Sequence, residues 1–279
     1  SPFANRRCGA GCMNTGRYRV VLTGATGGIG QQFALALAPA CSAMLLVGRD
    51  GEKLAALRQC LQAAHPDLRV ELVAADLGDE AGRERVLQVA KAFPGGVNLL
   101  INNAGISDFH AFSGQSGAVV ESLLKTNLLS PILLCQKFMP LLLAGKGAQI
   151  VNVGSVFGDI GYPGFAVYCA SKFGLRGFTQ ALRRELSDSA VRVRYFAPRA
   201  TRTGINSSAV NAMNAELKTQ SDEPQLVAKA FMEFLAGDKN EQVLGWPEKF
   251  YVVLNRLRSQ ITDNAIGKQL AIIKRHLPN

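Results

Sequence analysis

The sequence predicts an α/β fold in which one doubly wound parallel sheet carries helices on both faces. Short apolar runs rich in Val, Leu and Ile alternate with longer segments of helical periodicity. A glycine-rich stretch directly follows the first of these runs. Because neither a repeat nor a linker interrupts the alternation, we predict a single domain.

Each strand is predicted where a short apolar run lies between turn residues or helical segments. These runs are Tyr18–Leu22, Ala43–Val47, Val70–Ala74, Leu99–Asn102, Gln149–Val153 and Val191–Phe196. Between them, apolar residues recur at helical spacing. The segments are one that ends at Leu37, then Glu52–Ala64, Ala81–Ala92, Ala118–Leu143 and Tyr168–Ser187.

Composition and charge indicate a folded protein rather than a nucleic-acid binder. The chain has 279 residues, of which 48% are hydrophobic and 19% charged, and a net charge of +10. Residues 1–19 contain four Arg and no acid, and residues 248–279 contain six Lys or Arg against two acids. Because the positive charge lies at the two ends, we expect no nucleic-acid partner.

We expect a cytoplasmic protein without a metal site. No apolar run approaches the roughly 20 residues of a membrane span, and no N-terminal stretch has the pattern of a secretory signal. Six scattered cysteines are typical of reduced thiols. The Cys8 and Cys12 pair is too weak a pattern for a metal site.

The predicted organisation has three parts. Residues 1–17 form a flexible tail, residues 18–247 a dinucleotide-binding domain, and residues 248–279 an amphipathic helical extension. In the extension, one predicted stripe contains Phe250, Val253, Leu254, Leu257 and Ile261, and a second contains Ile266, Leu270, Ile273 and Leu277. We expect these stripes to be core or a subunit interface. The alternatives are peripheral membrane contact through residues 250–277 and an apolar entrance for the substrate.

The stretch T-G-A-T-G-G-I-G predicts a phosphate-binding turn. Gly24, Gly28 and Gly30 come after the first strand and open the first helix. Glycines there permit a tight turn and close approach of a pyrophosphate, and the helix N-terminus offers free N–H groups. We therefore predict a Rossmann-like nucleotide-binding fold.

Further motifs follow in order. They are Asp76 in A-A-D-L, N-N-A-G at 102–105, Asn127 in K-T-N-L, Ser155 in V-G-S-V, and Y-C-A-S-K at 168–172. With T-G-x-x-x-G-x-G, this set resembles the classical short-chain dehydrogenase/reductase (SDR) family over residues 18–247. The resemblance implies an oxidoreductase that forms homodimers or homotetramers and acts on a small carbonyl or alcohol substrate.

The resemblance also implies roles for individual residues. The catalytic set is Asn127, Ser155, Tyr168 and Lys172. The cofactor-binding set is Gly24, Thr26, Gly28, Ile29, Gly30, Arg49, Asp76, Leu77, Asn103, Ala104, Gly105, Tyr168, Lys172, Pro198, Thr201 and Thr203. Tyr168 would exchange a proton with the substrate oxygen, Ser155 would hold that oxygen, and Lys172 would bind the nicotinamide ribose. Asn127 would position a water that relays protons to Lys172.

The end of the second strand favours NADP(H) over NAD(H). Gly48 stands where an NAD-selecting acid would lie, and Arg49 follows with a guanidinium suited to a 2′-phosphate. Two alternatives are that Arg49 pairs with Asp50 and that Asp50 itself reaches a ribose.

Tyr168 and Lys172 lie four residues apart and so share one helix face. Inside a cleft, a cation about 4 Å from the phenol stabilises the phenolate by roughly 4 kcal/mol at an effective dielectric near 20. We therefore expect Lys172 to lower the pKa of Tyr168 from about 10 towards 7.

Two segments depart from the family pattern. The usual P-G-x-x-x-T reads P-R-A-T-R-T, which places Arg199 near the reactive end of the cofactor, where it would bind an anion or point to solvent. The usual V-D-G-G ending is missing, and residues 203–223 are expected to form a mobile lid.

The leading functional hypothesis is an NADP(H)-dependent carbonyl reductase or alcohol dehydrogenase with a substrate that could be lipophilic. A 3-oxoacyl-thioester reductase acting on acyl carrier protein is the alternative within enzymes. A non-catalytic NADP(H) sensor or scaffold is the alternative of another class, and the intact catalytic set argues against it.

Overall fold

A seven-stranded parallel sheet forms the centre of the protein. The computed structural model describes residues 18–245 and 248–278. The strands are β1 (Tyr18–Thr23), β2 (Cys41–Gly48), β3 (Arg69–Ala74), β4 (Leu99–Asn102), β5 (Gln149–Val153), β6 (Arg192–Ala197) and β7 (Glu241–Val243). Their order is β3-β2-β1-β4-β5-β6-β7, and every pair is parallel. The predicted fold class is therefore confirmed, with β7 as an additional edge strand.

Helices cover both faces of this sheet. They are α1 (Gly28–Leu37), α2 (Gly51–Ala64), α3 (Glu80–Lys91), α4 (Gly117–Leu124), α5 (Ser130–Ala144), α6 (Ala166–Glu185), α7 (Ser208–Glu216), α8 (Pro224–Ala236), α9 (Glu248–Leu257), α10 (Ser259–Gly267) and α11 (Leu270–His276). Apolar side chains of α1, α2 and α8 form one core with the sheet. Those of α3, α5 and α6 form the core on the opposite face.

A buried polar ladder fixes α6 against the carboxyl ends of two central strands. Asn102 at the end of β4 donates from Nδ2 to Asn152 Oδ1 in β5 at 2.8 Å. Asn152 in turn donates from Nδ2 to Thr179 Oγ1 in α6 at 2.9 Å. Because buried amides without partners are costly, these bonds allow one register between strands and helix. Chain order reverses between β1 and β4, which is where ligands bind in open parallel sheets.

Arg194 in β6 is a fully buried guanidinium that caps the C-terminus of α8. It donates to the carbonyl oxygens of Leu235 (3.3 Å), Gly237 (3.0 Å) and Lys239 (2.9 Å), and to Gln149 Oε1 at 3.0 Å. Burial lowers the pKa of Arg194 to about 10, which still leaves it charged at neutral pH. The cation thus neutralises the negative end of the helix dipole inside the core.

The C-terminal extension packs against the loop that follows β5. Val252 of α9 is buried against Val156 and Ile160, and Asn255 Nδ2 donates to the carbonyl of Asp159 at 2.9 Å. This contact turns most of the first predicted stripe outward. Its exposed members include Phe250, Val253, Leu257 and Ile261. Core packing within the chain therefore does not describe this stripe, and the alternative expectation, a subunit interface, stays a prediction.

The second predicted stripe does contribute to the core. Ile273 of α11 is fully buried, and Leu277 packs beside it in a cluster that includes Phe109 and Phe165. The predicted tail, residues 1–17, and the linkage at residues 246 and 247 lie outside the described residues.

One helical stretch among the described residues, Gly117–Ala144, is long and apolar enough to cross a membrane by length and composition alone. Core helices pass the same test. This stretch covers one face of the sheet through Leu134, Phe138 and Leu142, and its Lys137 pairs with Glu84 at 3.2 Å. We interpret it as a layer of the fold.

Candidate active site

The glycine-rich turn is held in place by the segment that follows β4. The Thr23 hydroxyl accepts hydrogen bonds from the backbone N–H groups of Asn103 and Ala104, each at 3.0 Å. Asn103 Nδ2 donates to the carbonyls of Thr23 at 3.1 Å and Gly24 at 3.2 Å. The N-N-A-G motif therefore sets the conformation of the turn.

Close contacts explain the glycines in this turn. Gly24 has φ +64°, and a Cβ there would lie 2.7 Å from Ala104 Cα. A Cβ on Gly30 would lie 2.1 Å from the Gly24 carbonyl oxygen, and one on Gly28 would lie 2.7 Å from Thr203 Cγ2. The helix α1 begins after Gly27, whose N-cap position has no side-chain hydrogen bond, so its first N–H groups remain available. This cradle fits the pyrophosphate of a dinucleotide.

The adenosine end of the cradle leaves Arg49 exposed. Asp50 caps α2 by accepting from Lys53 N at 3.0 Å, and it pairs with Lys53 Nζ at 3.4 Å. The carboxylate is thus engaged away from Arg49, which counts against the Arg49–Asp50 pair considered from the sequence. Thr26 lies beside Gly48, where a Cβ would be 3.1 Å from its hydroxyl oxygen.

Asp76 and Leu77 form a second wall of the cradle. The exposed Asp76 carboxylate accepts from Gly78 N at 2.8 Å, which orients it at the end of β3. The Leu77 carbonyl accepts from Ser130 Oγ at 2.8 Å and from Arg83 Nη1 at 2.7 Å. Both residues are therefore held at the edge where β1 and β4 end.

Asn127 lies in a single π-helical turn, Lys125–Leu129, between α4 and α5. Its Oδ1 accepts from Ile106 N, and its Nδ2 donates to the Ile106 carbonyl, both at 2.9 Å, and to Ser171 Oγ at 3.2 Å. Pro131 has no N–H to offer the Asn127 carbonyl, which weakens the regular helical ladder at this point. The long helix predicted over Ala118–Leu143 is confirmed as one continuous helical stretch, and the π-helical turn within it was not predicted.

Ser155 and Tyr168 meet above the end of β5. The Ser155 hydroxyl accepts from Phe157 N at 3.1 Å and shares a hydrogen bond with the Tyr168 phenol. Burial raises the pKa of Tyr168 to about 12, against the opposing effect of this hydrogen bond. The phenol is therefore protonated throughout the physiological range.

Lys172 is buried next to the Tyr168 ring. Its Nζ donates to the Val153 carbonyl at 3.2 Å and lies 5.7 Å from the centre of the Tyr168 ring. Burial lowers the pKa of Lys172 to about 8. The expected lowering of the Tyr168 pKa towards 7 is wrong for the cofactor-free protein, because burial of the phenol outweighs this more distant cation.

The four residues of the predicted catalytic set come together at one place. Asn127 and Tyr168 both bond to Ser171, whose hydroxyl donates to the Tyr168 carbonyl at 2.7 Å. A Cβ on Gly105 would lie 3.4 Å from Asn127 Oδ1 and 3.6 Å from Lys172 Nζ. Gly105 thus lines the same space as the Asn127 amide and the Lys172 amine.

Tyr195 supports the Ser155 loop, a role that the sequence analysis missed. Its buried phenol oxygen lies 3.4 Å from Ser155 N. A Cβ on Gly154 would lie 1.9 Å from this oxygen, and one on Gly158 would lie 2.4 Å from it. The two glycines make room for the phenol. Only the register of β5 beside β6 brings Gly154 and Tyr195 together, so no local pattern could have indicated the contact.

Arg199 is turned towards the chain itself rather than to solvent. Its guanidinium forms a bidentate pair with Asp222, with Nε–Oδ2 at 2.9 Å and Nη2–Oδ1 at 2.7 Å. Asp222 N also donates to the Ala200 carbonyl at 2.9 Å. The pair closes the base of residues 203–223, the predicted lid, whose central part is α7.

The segment between β6 and this lid holds the remaining predicted cofactor residues. Val156 N donates to the Pro198 carbonyl at 3.3 Å, and the buried Thr201 donates from Oγ1 to the Arg199 carbonyl at 2.9 Å. Thr203 contacts the glycine-rich turn at Gly28. Ile29 follows Gly28 in the first turn of α1.

An apolar cluster surrounds the Tyr168 ring. The edges of Phe157 and Phe165 face it, with ring centres 6.3 and 6.1 Å away. Further members come from the loop after β4, from α7 and from α11; they are Phe109, Tyr162, Val210, Met213, Ile273 and Leu277. The lid and the C-terminal helix therefore both pack at Tyr168.

The parallel sheet and the glycine-rich cradle at its carboxyl edge are typical of nucleotide-binding oxidoreductases. The family model described as short chain dehydrogenase matches residues 18–214. The chain belongs to the short-chain dehydrogenase/reductase family.

Individual relatives agree with this assignment. Dehydrogenase/reductase SDR family member 7B of Bos taurus is 31% identical over 241 residues, which cover 82% of this chain and 73% of that protein. Very-long-chain 3-oxoacyl-CoA reductase of Mycosarcoma maydis is 36% identical over 177 residues, or 62% of this chain and 50% of its own length. A short chain dehydrogenase from Burkholderia cenocepacia, solved in complex with NADP, superposes with a TM-score of 0.75 at 25% identity, covering 85% of this chain and 99% of that one.

Proposed function

We propose that the protein is an NADP(H)-dependent oxidoreductase that interconverts a carbonyl group and a secondary alcohol. The observation that carries the proposal is the Ser155–Tyr168 hydrogen bond, which lies above the buried Lys172 at the carboxyl edge of the sheet. A non-catalytic sensor or scaffold, the alternative of another class, would not require this arrangement.

In the direction of reduction, Tyr168 is the general acid. Its raised pKa keeps the proton on the phenol oxygen until the substrate oxygen acquires negative charge. Ser155 donates a hydrogen bond to the same oxygen and so fixes the orientation of the substrate carbonyl. When bound, the nicotinamide supplies the hydride.

Lys172 and Asn127 support the proton transfer by Tyr168. Protonated Lys172 favours the phenolate once the proton has left, and its ammonium is suited to bind ribose hydroxyls. Asn127 uses its Oδ1 and Nδ2 to fix the Ile106 backbone and so shapes the space next to Lys172. A water in that space would return a proton to the pair. Oxidation of an alcohol reverses these steps.

Arg49 supports NADP(H) as the favoured cofactor, with NAD(H) as the alternative. Its exposed guanidinium follows Gly48 at the end of β2, where the pair Asp50–Lys53 leaves it available for a 2′-phosphate. A thermal-shift titration tests this, because a ligand that binds the folded state raises its stability. We expect a larger shift with NADPH than with NADH, and loss of that difference in Arg49→Ala. An equal shift with both cofactors would contradict the assignment.

The catalytic role is tested with Tyr168→Phe. We expect this variant to keep the NADPH-induced thermal shift and to lose most NADPH oxidation in the presence of a neutral ketone. Phe173→Ala, on an exposed position of the same helix, is the matched control. Full activity in Tyr168→Phe would refute the proposed role.

A 3-oxoacyl-thioester reductase is the second candidate, and the apolar cluster at Tyr168 favours it because an acyl chain would fit such surroundings. One relative carries the name very-long-chain 3-oxoacyl-CoA reductase. Acetoacetyl thioesters of coenzyme A and acyl carrier protein distinguish the candidates. A far higher kcat/KM for these thioesters than for simple ketones would favour the 3-oxoacyl-thioester reductase.

A further inference from the structure

The C-terminal helix α11 forms part of the immediate surroundings of the catalytic tyrosine. Ile273 and Leu277 belong to the same cluster as Tyr168, together with Val210 and Met213 of α7. A Cβ on Gly164 would lie 2.4 Å from Phe109 Cε2 and 2.9 Å from Leu277 Cδ2. The helix thus lies directly on the loop that leads into α6.

Polar contacts fasten α11 to the lid and to that loop. Glu216 at the end of α7 accepts a hydrogen bond from Arg275 and bonds to His276 Nε2 at 2.7 Å. On the other side, the Tyr162 hydroxyl donates to Gln269 Oε1 at 3.2 Å. Lid, loop and C-terminal helix are therefore joined into one wall.

Two guanidiniums at this wall are already paired with carboxylates. Arg275 is bound to Glu216, and Arg199 at the base of the lid is bound to Asp222 by two hydrogen bonds. A substrate carboxylate, sulfonate or phosphate that recruited either guanidinium would have to break its ion pair. Burying an unpaired charge among aromatic and aliphatic side chains carries a large penalty.

From these contacts we infer the substrate class: a neutral carbonyl compound whose reacting carbon carries an extended apolar chain or ring, with α11 forming one wall of its site. The inference rests on the proposed function. Two electrons and one hydrogen pass as hydride from NADPH to the carbonyl carbon, the C=O π bond becomes the O–H bond, and Tyr168 supplies the proton. The products are a secondary alcohol and NADP⁺.

The test measures kcat/KM with NADPH for methyl ketones of four, six and eight carbons, and for levulinate against methyl levulinate. Each buried methylene should raise kcat/KM about fourfold. Methyl levulinate should exceed levulinate by about tenfold or more, because only the acid must be desolvated as an anion.

Substitutions in the wall test whether the C-terminal residues, rather than hydrophobicity in general, cause the dependence of kcat/KM on chain length. Ile273→Ala and Leu277→Ser should flatten the chain-length series, and the NADPH-induced thermal shift verifies that each is folded. Leu257→Ser, at a position of α9 that is 76% exposed, should keep the full series.

The possible outcomes distinguish the inferred substrate class from the proposed function. A flat series in the wild type, a preference for levulinate over its ester, or an unchanged series in both α11 variants overturns the inference and leaves the proposed function in place. Failure to oxidise NADPH with every carbonyl overturns both.

Discussion

Replacing Lys172 with Met should stabilise the cofactor-free protein while removing its activity. Lys172 is 5% exposed, and burial lowers its pKa from 10.5 to about 8. Because the folded state holds this proton less tightly than the unfolded state, the charge destabilises the fold at pH 7. The penalty is about 3 kcal/mol, since one pKa unit corresponds to about 1.4 kcal/mol.

The net gain in the free energy of unfolding is smaller than this penalty. Methionine has a similar length but cannot donate to the Val153 carbonyl, which removes about 1 kcal/mol of hydrogen bonding. We therefore expect Lys172→Met to gain about 2 kcal/mol at pH 7, which raises Tm by roughly 4 °C for a chain of this size.

The pH dependence gives the sharper test. The penalty is fully present below the folded-state pKa of about 8 and is relieved as the pH rises from there to 10.5. Differential scanning fluorimetry should therefore show the gain at pH 7 and its disappearance near pH 10. Lys146→Met, on an exposed loop, should leave Tm unchanged at both pH values. A lower Tm for Lys172→Met at pH 7, or an equal gain at both, would refute the reasoning.

Three other predictions test the cradle, the Ser155 loop and the outer surface. Gly30→Ala should abolish the NADPH-induced thermal shift, because its Cβ would collide with the Gly24 carbonyl, whereas Gly177→Ala should keep that shift and gain about 0.5–1 kcal/mol of stability. Gly154→Ala should lower kcat by about tenfold or more, with the NADPH-induced shift retained, because its Cβ would meet the Tyr195 phenol and displace the Ser155 loop; unchanged kcat would count against this role. The exposed apolar face of α9 and α10 should serve subunit contact, so light scattering should give a dimer or tetramer and anionic vesicles should not sediment the protein. A monomer that sediments with the vesicles would reverse that assignment.

The parts of the site that were predictable from sequence are those that the backbone dictates. The glycines of the phosphate turn are required by the tight path of the backbone itself, as the contact of Gly30 with the Gly24 carbonyl and the positive φ of Gly24 show, so a short motif predicts them. The alternation of strands and helices likewise follows from burial on both faces of a parallel sheet.

The features that were missed depend on distant contacts. The π-helical turn at Asn127 relies on Ile106 and Ser171, and the engagement of Arg199 relies on Asp222. The spacing of Tyr168 and Lys172 correctly predicted that they are neighbours, but the sign of the pKa shift was set by burial, which spacing does not report. For the outward apolar stripe of α9, periodicity defined the face without saying whether the chain itself or a second subunit covers it.

The central claim is tested most directly by following the hydrogen itself. The protein would be incubated with an apolar ketone and NADPH carrying deuterium at both C4 positions, and the alcohol analysed by mass spectrometry. We expect one deuterium on the carbinol carbon with the wild type and almost no product with Tyr168→Phe. Alcohol without deuterium, or labelled alcohol formed equally fast by Tyr168→Phe, would contradict it.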